Sequence, residues 1–267
     1  MTMNKFFVYT RGRTGSTAIV DELDSHPHCV CHGEVFRRDP LKNPKVREAY
    51  DRLGLEYLKE RLTNDKVVIP FGLWEMIDTG NRGNYRGYLE FVQDEAARKD
   101  KTAVGFKLLH NQSVEREGLL DVLKSGGFVA IHLIRRNVVR QVLSGMLAKQ
   151  RGVYNRRNYD VPDEKYDIDV AELVRTIERN QKDVAAVDKQ LRDGGFDYFS
   201  VYYEDFLAQR DSFFDLVLSR LNLAREQLKA SDWTIMVPSD LRKVVNNYEE
   251  MEAAVVRIGL ADMLTSQ

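Results

Sequence analysis

The segment Lys5–Thr10 constrains this chain most: an aromatic and β-branched run, KFFVYT, breaks at once into RGRTGST and then into a helical period carried by Ile19 and Leu23. Aromatic and β-branched residues favour strand, glycines permit a tight turn, and apolar residues four apart share one helix face. The spacing therefore predicts strand, loop, helix. Ser16 or Thr17 is placed to cap that helix, and Ser25-His26-Pro27 to end it, because proline disfavours a helical residue before it.

The same alternation recurs downstream. Strands are predicted at His28–His32, Thr102–Leu109, Phe128–Ile134 and Asp197–Tyr203, with helices over Val114–Lys124, Asn137–Lys149 and 169–192. Beyond Asp211 the chain reads as helical, then irregular near Trp233–Asp240, then helical again. Strands alternating with helices imply an α/β fold: a mostly parallel central sheet flanked by helices, with the ligand site beyond the carboxyl ends of the strands. All 267 residues fit one domain. It carries a helical insert at about 40–100, with apolar positions at helical spacing over 45–62, and a mobile loop at about 151–168. The glycine-rich stretch Gly80–Gly87 reads as a loop without function.

Charge and cysteine usage exclude several classes. Forty basic residues face 41 acidic ones, so no overall field draws the chain to nucleic acid or an anionic membrane. The apolar run at Phe6–Tyr9 is far short of a membrane span or signal core, and a cytoplasmic location is expected. Cys29 and Cys31 make neither a disulfide framework nor a zinc site. On a strand both thiols face one side, as small core residues. No His, Asp or Glu cluster suggests a metal.

The loop Thr10–Thr17 is an anion cradle by composition. Successive N–H groups at a helix start carry partial positive charge, and Arg13, Ser16 and Thr17 add donors. A nucleotide triphosphatase loop would carry lysine before its Ser/Thr, and an acidic residue to hold magnesium. This loop lacks the lysine, and the strand Phe128–Ile134 ends in Arg135-Arg136. Ser144 follows Arg136 by eight residues, about 12 Å along a helix, so the two can reach one extra phosphate lying across the helix surface.

With these motifs in view, the chain resembles the sulfotransferases that use 3′-phosphoadenosine 5′-phosphosulfate (PAPS), in particular the bacterial carbohydrate branch of nodulation-factor and trehalose type. Its loop also resembles that of the tyrosylprotein branch. The resemblance is carried by RTGST, HPHCVCHGEVF, VGFKLL, HLIRRNVVRQVLS and VYYED. It implies a P-loop-like sulfotransferase fold and PAPS as co-substrate. Adenosine 3′,5′-bisphosphate (PAP) is then the product, and no metal is needed. It further implies that Arg13, Thr14, Gly15, Ser16 and Thr17 hold the 5′-phosphosulfate, and that Arg136 with Ser144 holds the 3′-phosphate. The cytosolic branch has lysine where Arg13 stands; arginine supplies charge but shuttles no proton.

Transfer to a hydroxyl needs a base. Glu34, after a glycine at the end of the second strand, is the first candidate, since similar positions serve as base in the tyrosylprotein and trehalose branches. His32 and His110 are rivals; the cytosolic branch places a histidine after a lysine here, but His110 is one residue out of step from Lys107. Lys107, in an apolar run, is expected to face the site, because burying an unpaired ammonium is costly. The resemblance has it stabilise the sulfuryl group. Glu204 reads as structural and Arg11 as a bystander. The acceptor is a small molecule or glycan, with a carbohydrate favoured by resemblance. Arg151, Arg156, Arg157, Tyr154 and Tyr159 on the 151–168 loop are candidates to grip it. Two rivals to the whole reading are a nucleotide-dependent kinase with an atypical loop and a catalytically inactive nucleotide-binding module.

Overall fold

The computed structural model describes residues 3–36, 71, 72, 74, 85–158, 160 and 164–265. The helical pattern at 45–62, Tyr159 and most of the Gly80–Gly87 stretch lie outside these. Tyr85–Gly87, the end of that stretch, is the first turn of a helix rather than loop.

All five expected strands form: β1 (Asn4–Thr10), β2 (Cys29–Glu34), β3 (Ala103–Leu109), β4 (Val129–Ile134) and β5 (Tyr198–Tyr202). They make one sheet in the order β2-β3-β1-β4-β5, every pairing parallel. A parallel sheet buries both faces, which is why β1, β3 and β4 read as near-continuous apolar runs. On one face Phe7, Tyr9, Val104, Phe106, Leu108 and Ala130 pack under α2 (Tyr85–Ala97), α4 (Leu119–Ser125) and α6 (Val170–Asp193). On the other, Phe6, Val8, Cys29, Cys31, Ile131 and Leu133 pack against α1 (Ser16–Asp24) and α8 (Arg210–Arg220). Both cysteines are free and buried on that one face. Each apolar side chain so buried contributes about 1.5–3 kcal/mol.

Local departures have local causes. The helix expected over Val114–Lys124 divides into α3 (His110–Val114) and α4, because Gly118 takes the left-handed conformation (φ 76°) between them. Helix α1 is capped by Gly15 (φ 72°) with no side-chain hydrogen bond, not by Ser16 or Thr17. Helix α5 (Val138–Arg151) starts at Asn137, whose side chain accepts from the Arg140 N–H. A third cluster joins α5 and α6 to α9 (Tyr248–Arg257) and α10 (Asp262–Thr265), through residues such as Leu143, Ile177 and Met251. Short α7 (Tyr203–Ala208) follows β5 directly. Among the described residues no helix is long and apolar enough to cross a membrane, and no group of three or more His, Cys, Asp or Glu is placed to hold a metal ion.

Candidate active site

The carboxyl ends of β1, β3 and β4 open onto a cavity of about 680 Å³, lined by Arg13, Gly15, Ser16, Thr17, Glu34, Lys107, Arg135 and Ser144 among others. That volume falls within the range of small-molecule sites. Its floor is the loop between β1 and α1. Thr10 and Thr14 join hydroxyls at 2.7 Å, and Thr14 also donates to the Arg11 carbonyl at 3.1 Å, so the Thr14 side chain closes the turn inside the protein. Gly15 must be glycine twice over: its φ is 72°, and a Cβ there would overlap the Tyr203 ring. Gly12 has no such constraint; Arg13 instead takes the left-handed conformation, at φ 67°. A non-glycine residue held in that region stores roughly 1–3 kcal/mol and marks a site where the fold over-determines the backbone.

Two guanidiniums converge on the cavity, and neither Arg13 nor Arg135 forms a salt bridge with a carboxylate among the described residues. Arg13 donates from Nε to the Ser144 hydroxyl at 3.0 Å, and from Nη1 to the Tyr154 carbonyl and to Asn155 Oδ1. Arg135 donates to the Arg13 carbonyl at 3.2 Å and lies 4.8 Å over the Tyr203 ring, while its Nε is buried without a hydrogen-bond partner among the described residues. Burial pushes both pKa values down, and for Arg13 the neighbouring Arg135 adds to the shift. Adjacent, partly desolvated cations are relieved by an arriving anion. Ser16 and Thr17, in the first turn of α1, put further donors at the same wall.

The same cavity holds a carboxylate–ammonium pair. Lys107 Nζ meets Glu34 Oε1 at 2.9 Å, with the lysine side chain 9% exposed and the glutamate 30%. Strand β2 skips a register position between His32 and Glu34, so that Glu34 lies beside Lys107 on β3. A bulge of this kind re-aims a side chain, and Gly33 is the residue it leaves over. Lys107 also approaches Thr17 Oγ1 at 3.5 Å, linking the pair to the loop. The other glutamate oxygen, Oε2, accepts from Gln112 Nε2 at 2.9 Å.

The remaining expected residues lie elsewhere. His110 sits on the opposite face of the sheet, its ring 4.5 Å from that of Tyr9, in a second cavity of about 660 Å³. Burial, helped by His132 and Arg11, pushes its pKa down to about 3, and neither ring nitrogen has a hydrogen-bond partner among the described residues. His110 is the first residue of α3 rather than part of β3, and its ring packs on Tyr9 on the sheet face shared by Phe106 and Leu108, whereas Lys107 between those two points to the other face. His32 is likewise absent from the first cavity and is held down to about 4 by burial. Arg136 is outside too: it is exposed, binds both Asp205 oxygens at 2.6 and 3.1 Å, and stacks 3.7 Å over Tyr202. The structure thus brings Ser144 to Arg13 but not to Arg136. Glu204 accepts from the backbone N–H groups of Arg136 and Asn137, both at 3.0 Å, and so anchors the β4–α5 junction. Arg11 pairs with Asp183 at the second cavity.

Part of the 151–168 segment forms the cavity rim. Tyr154 and Asn155 line it, and Arg157 pairs with Asp21 and Asp232 while lying 4.7 Å over Trp233. Arg151 donates to the Met236 carbonyl. Sequence reading missed Arg135, Gln112, Tyr203 and the 230–237 wall. Arg135 was open to inference, since it precedes the exposed Arg136 at the end of a buried strand; the others are set by contacts between distant segments.

No protein-family model matches the chain, and no curated protein matches it. Solved structures similar to it include the sulfotransferase domain from the curacin biosynthetic pathway, 15% identical over 85% of this chain and 76% of that one, with a TM-score of 0.45. A sulfotransferase from Alicyclobacillus acidocaldarius is 13% identical over 100% and 97% of the two chains, with a TM-score of 0.47. One from Mycobacterium avium is 13% identical over 97% and 76%, with a TM-score of 0.43. Likeness at this level carries no functional weight of its own.

Proposed function

We propose that this chain is a sulfotransferase that moves a sulfuryl group from PAPS to an acceptor hydroxyl. The observation that carries the reading is one cavity joining Arg13 and Arg135, two cations without carboxylate partners among the described residues, to the Glu34–Lys107 pair. The two cations suit a polyanionic donor and the pair a proton transfer. The acceptor oxygen attacks sulfur in line, its proton passes to Glu34, and the bond from sulfur to the 5′-phosphate oxygen breaks with its electron pair leaving on PAP. Arg13, Arg135 and Lys107 balance the charge that develops. The loop from Arg13 to Thr17 holds the 5′ end, Thr14 through its backbone. By the resemblance Ser144 and Arg136 take the 3′-phosphate, for which Ser144 exchanges Arg13, and Arg136 exchanges Asp205, for phosphate.

A carbohydrate acceptor is proposed on the resemblance alone. Calorimetry separates the donor classes: PAP binding without magnesium supports the reading, whereas tighter binding of ATP with magnesium favours a kinase. Incubating radiolabelled PAPS with sugars, phenols and aliphatic alcohols then tests transfer. Binding of PAP with no transfer to any acceptor would leave the binding module.

A further inference from the structure

We propose that Gln112 is the positioning residue that fixes Glu34 for proton abstraction, a role that rests on the assignment of Glu34 as the base. Gln112 lies in the first turn of α3 and is 5% exposed. Its side chain folds back so that Oε1 accepts from the Leu109 N–H at 3.1 Å while Nε2 donates to Glu34 Oε2 at 2.9 Å. The amide has no freedom to flip. A backbone N–H only donates, so the atom facing Leu109 is the carbonyl oxygen and the NH2 group faces Glu34.

Glu34 is thereby held at both oxygens, Oε2 by Gln112 and Oε1 by Lys107 at 2.9 Å. Rotation of the carboxylate plane breaks one bond or both. A carboxylate offers about four lone-pair sites, so two remain for an acceptor O–H. Gln112 does not line the cavity; it stands behind Glu34 and acts through it. Both anchors belong to one run, since α3 begins at the residue after β3 ends. Setting a base within tenths of an ångström this way matters because a misplacement of 1 Å costs roughly a hundredfold in rate.

The test is Gln112→Glu, which keeps an oxygen for the Leu109 N–H and the side-chain shape but turns the donor to Glu34 into a second carboxylate. With PAPS and an active acceptor, kcat at pH 7 is expected to fall about tenfold or more with the donor KM within about twofold. The acid limb of the kcat profile should move to higher pH, since neighbouring carboxylates oppose each other's ionisation. A profile superimposable on the parent's overturns the proposal, and so does a parent kcat in Gln112→Leu, which removes the donor to Glu34 without adding a charge. Glu34→Gln, measured alongside, separates the two claims. If it abolishes transfer while the Gln112→Glu profile is unmoved, the positioning role fails and the base stands; if it retains the parent rate, both fail. In the Glu34→Gln background Gln112→Glu should add no further loss, and a full additional loss there also overturns the proposal.

Discussion

Gly15→Ala tests the donor loop from its backbone upward. Two costs add at this position. An L-residue at φ 72° costs roughly 1–2 kcal/mol, and the new methyl overlaps Cε2 and Cδ2 of Tyr203, a buried ring with little room to withdraw. Overpacking of that kind costs about 1–3 kcal/mol, so the expected loss is about 2–5 kcal/mol in urea unfolding. Gly12→Ala is the matched control, because a Cβ there meets nothing within 4 Å and the residue lacks a positive φ. It should stay within about 0.5 kcal/mol of the parent. In a Tyr203→Leu background the steric part is relieved, and Gly15→Ala should add only about 1–2 kcal/mol. Equal stability of the two glycine variants would refute the reasoning.

Other outcomes follow from the same geometry. Arg135→Ala should weaken both PAP and adenosine 5′-phosphosulfate by tenfold or more in calorimetry, since a charge-assisted bond contributes about 1.5–3 kcal/mol. Arg136→Ala should weaken PAP alone, and unchanged PAP affinity would overturn its 3′-phosphate role. Stability should fall in acid through the buried histidines. His110 and His132 are held down to about 3 and 4, chiefly by burial, below the unfolded value of about 6.5. Their contribution is therefore full above about pH 6.5 and is lost as pH falls toward those values, by about 1.4 kcal/mol per unit for each histidine. Unfolding midpoints at pH 7.5, 6 and 5 check this, and His132→Phe should flatten the dependence.

Much of the fold was legible in sequence because parallel strands are buried on both faces and so write near-continuous apolar runs such as KFFVYT and VAIHLI. The place of the loop at the carboxyl end of β1 followed from that alone. What could not be read depends on contacts between distant segments. Nothing local to HGEVF announces that β2 slips a register to set Glu34 beside Lys107. Nothing local to RGRTG says that Arg13, rather than Gly12, turns left-handed. Gln112 falls between the strand expected at Thr102–Leu109 and the helix expected from Val114, and its partner Glu34 is 78 positions away. The distance of His110 from the cavity belongs with these, since it depends on where β3 gives way to α3, between Leu109 and His110.

The most direct test is single-turnover transfer from PAPS labelled with sulfur-35, comparing the parent with Glu34→Gln and Arg13→Ala at saturating acceptor. The expected result is label on the acceptor with the parent, a rate lower by two or more orders of magnitude for Glu34→Gln with PAP affinity retained, and near-abolished turnover for Arg13→Ala. Transfer at the parent rate by either variant, or no transfer by the parent to any hydroxylic acceptor, would contradict the account.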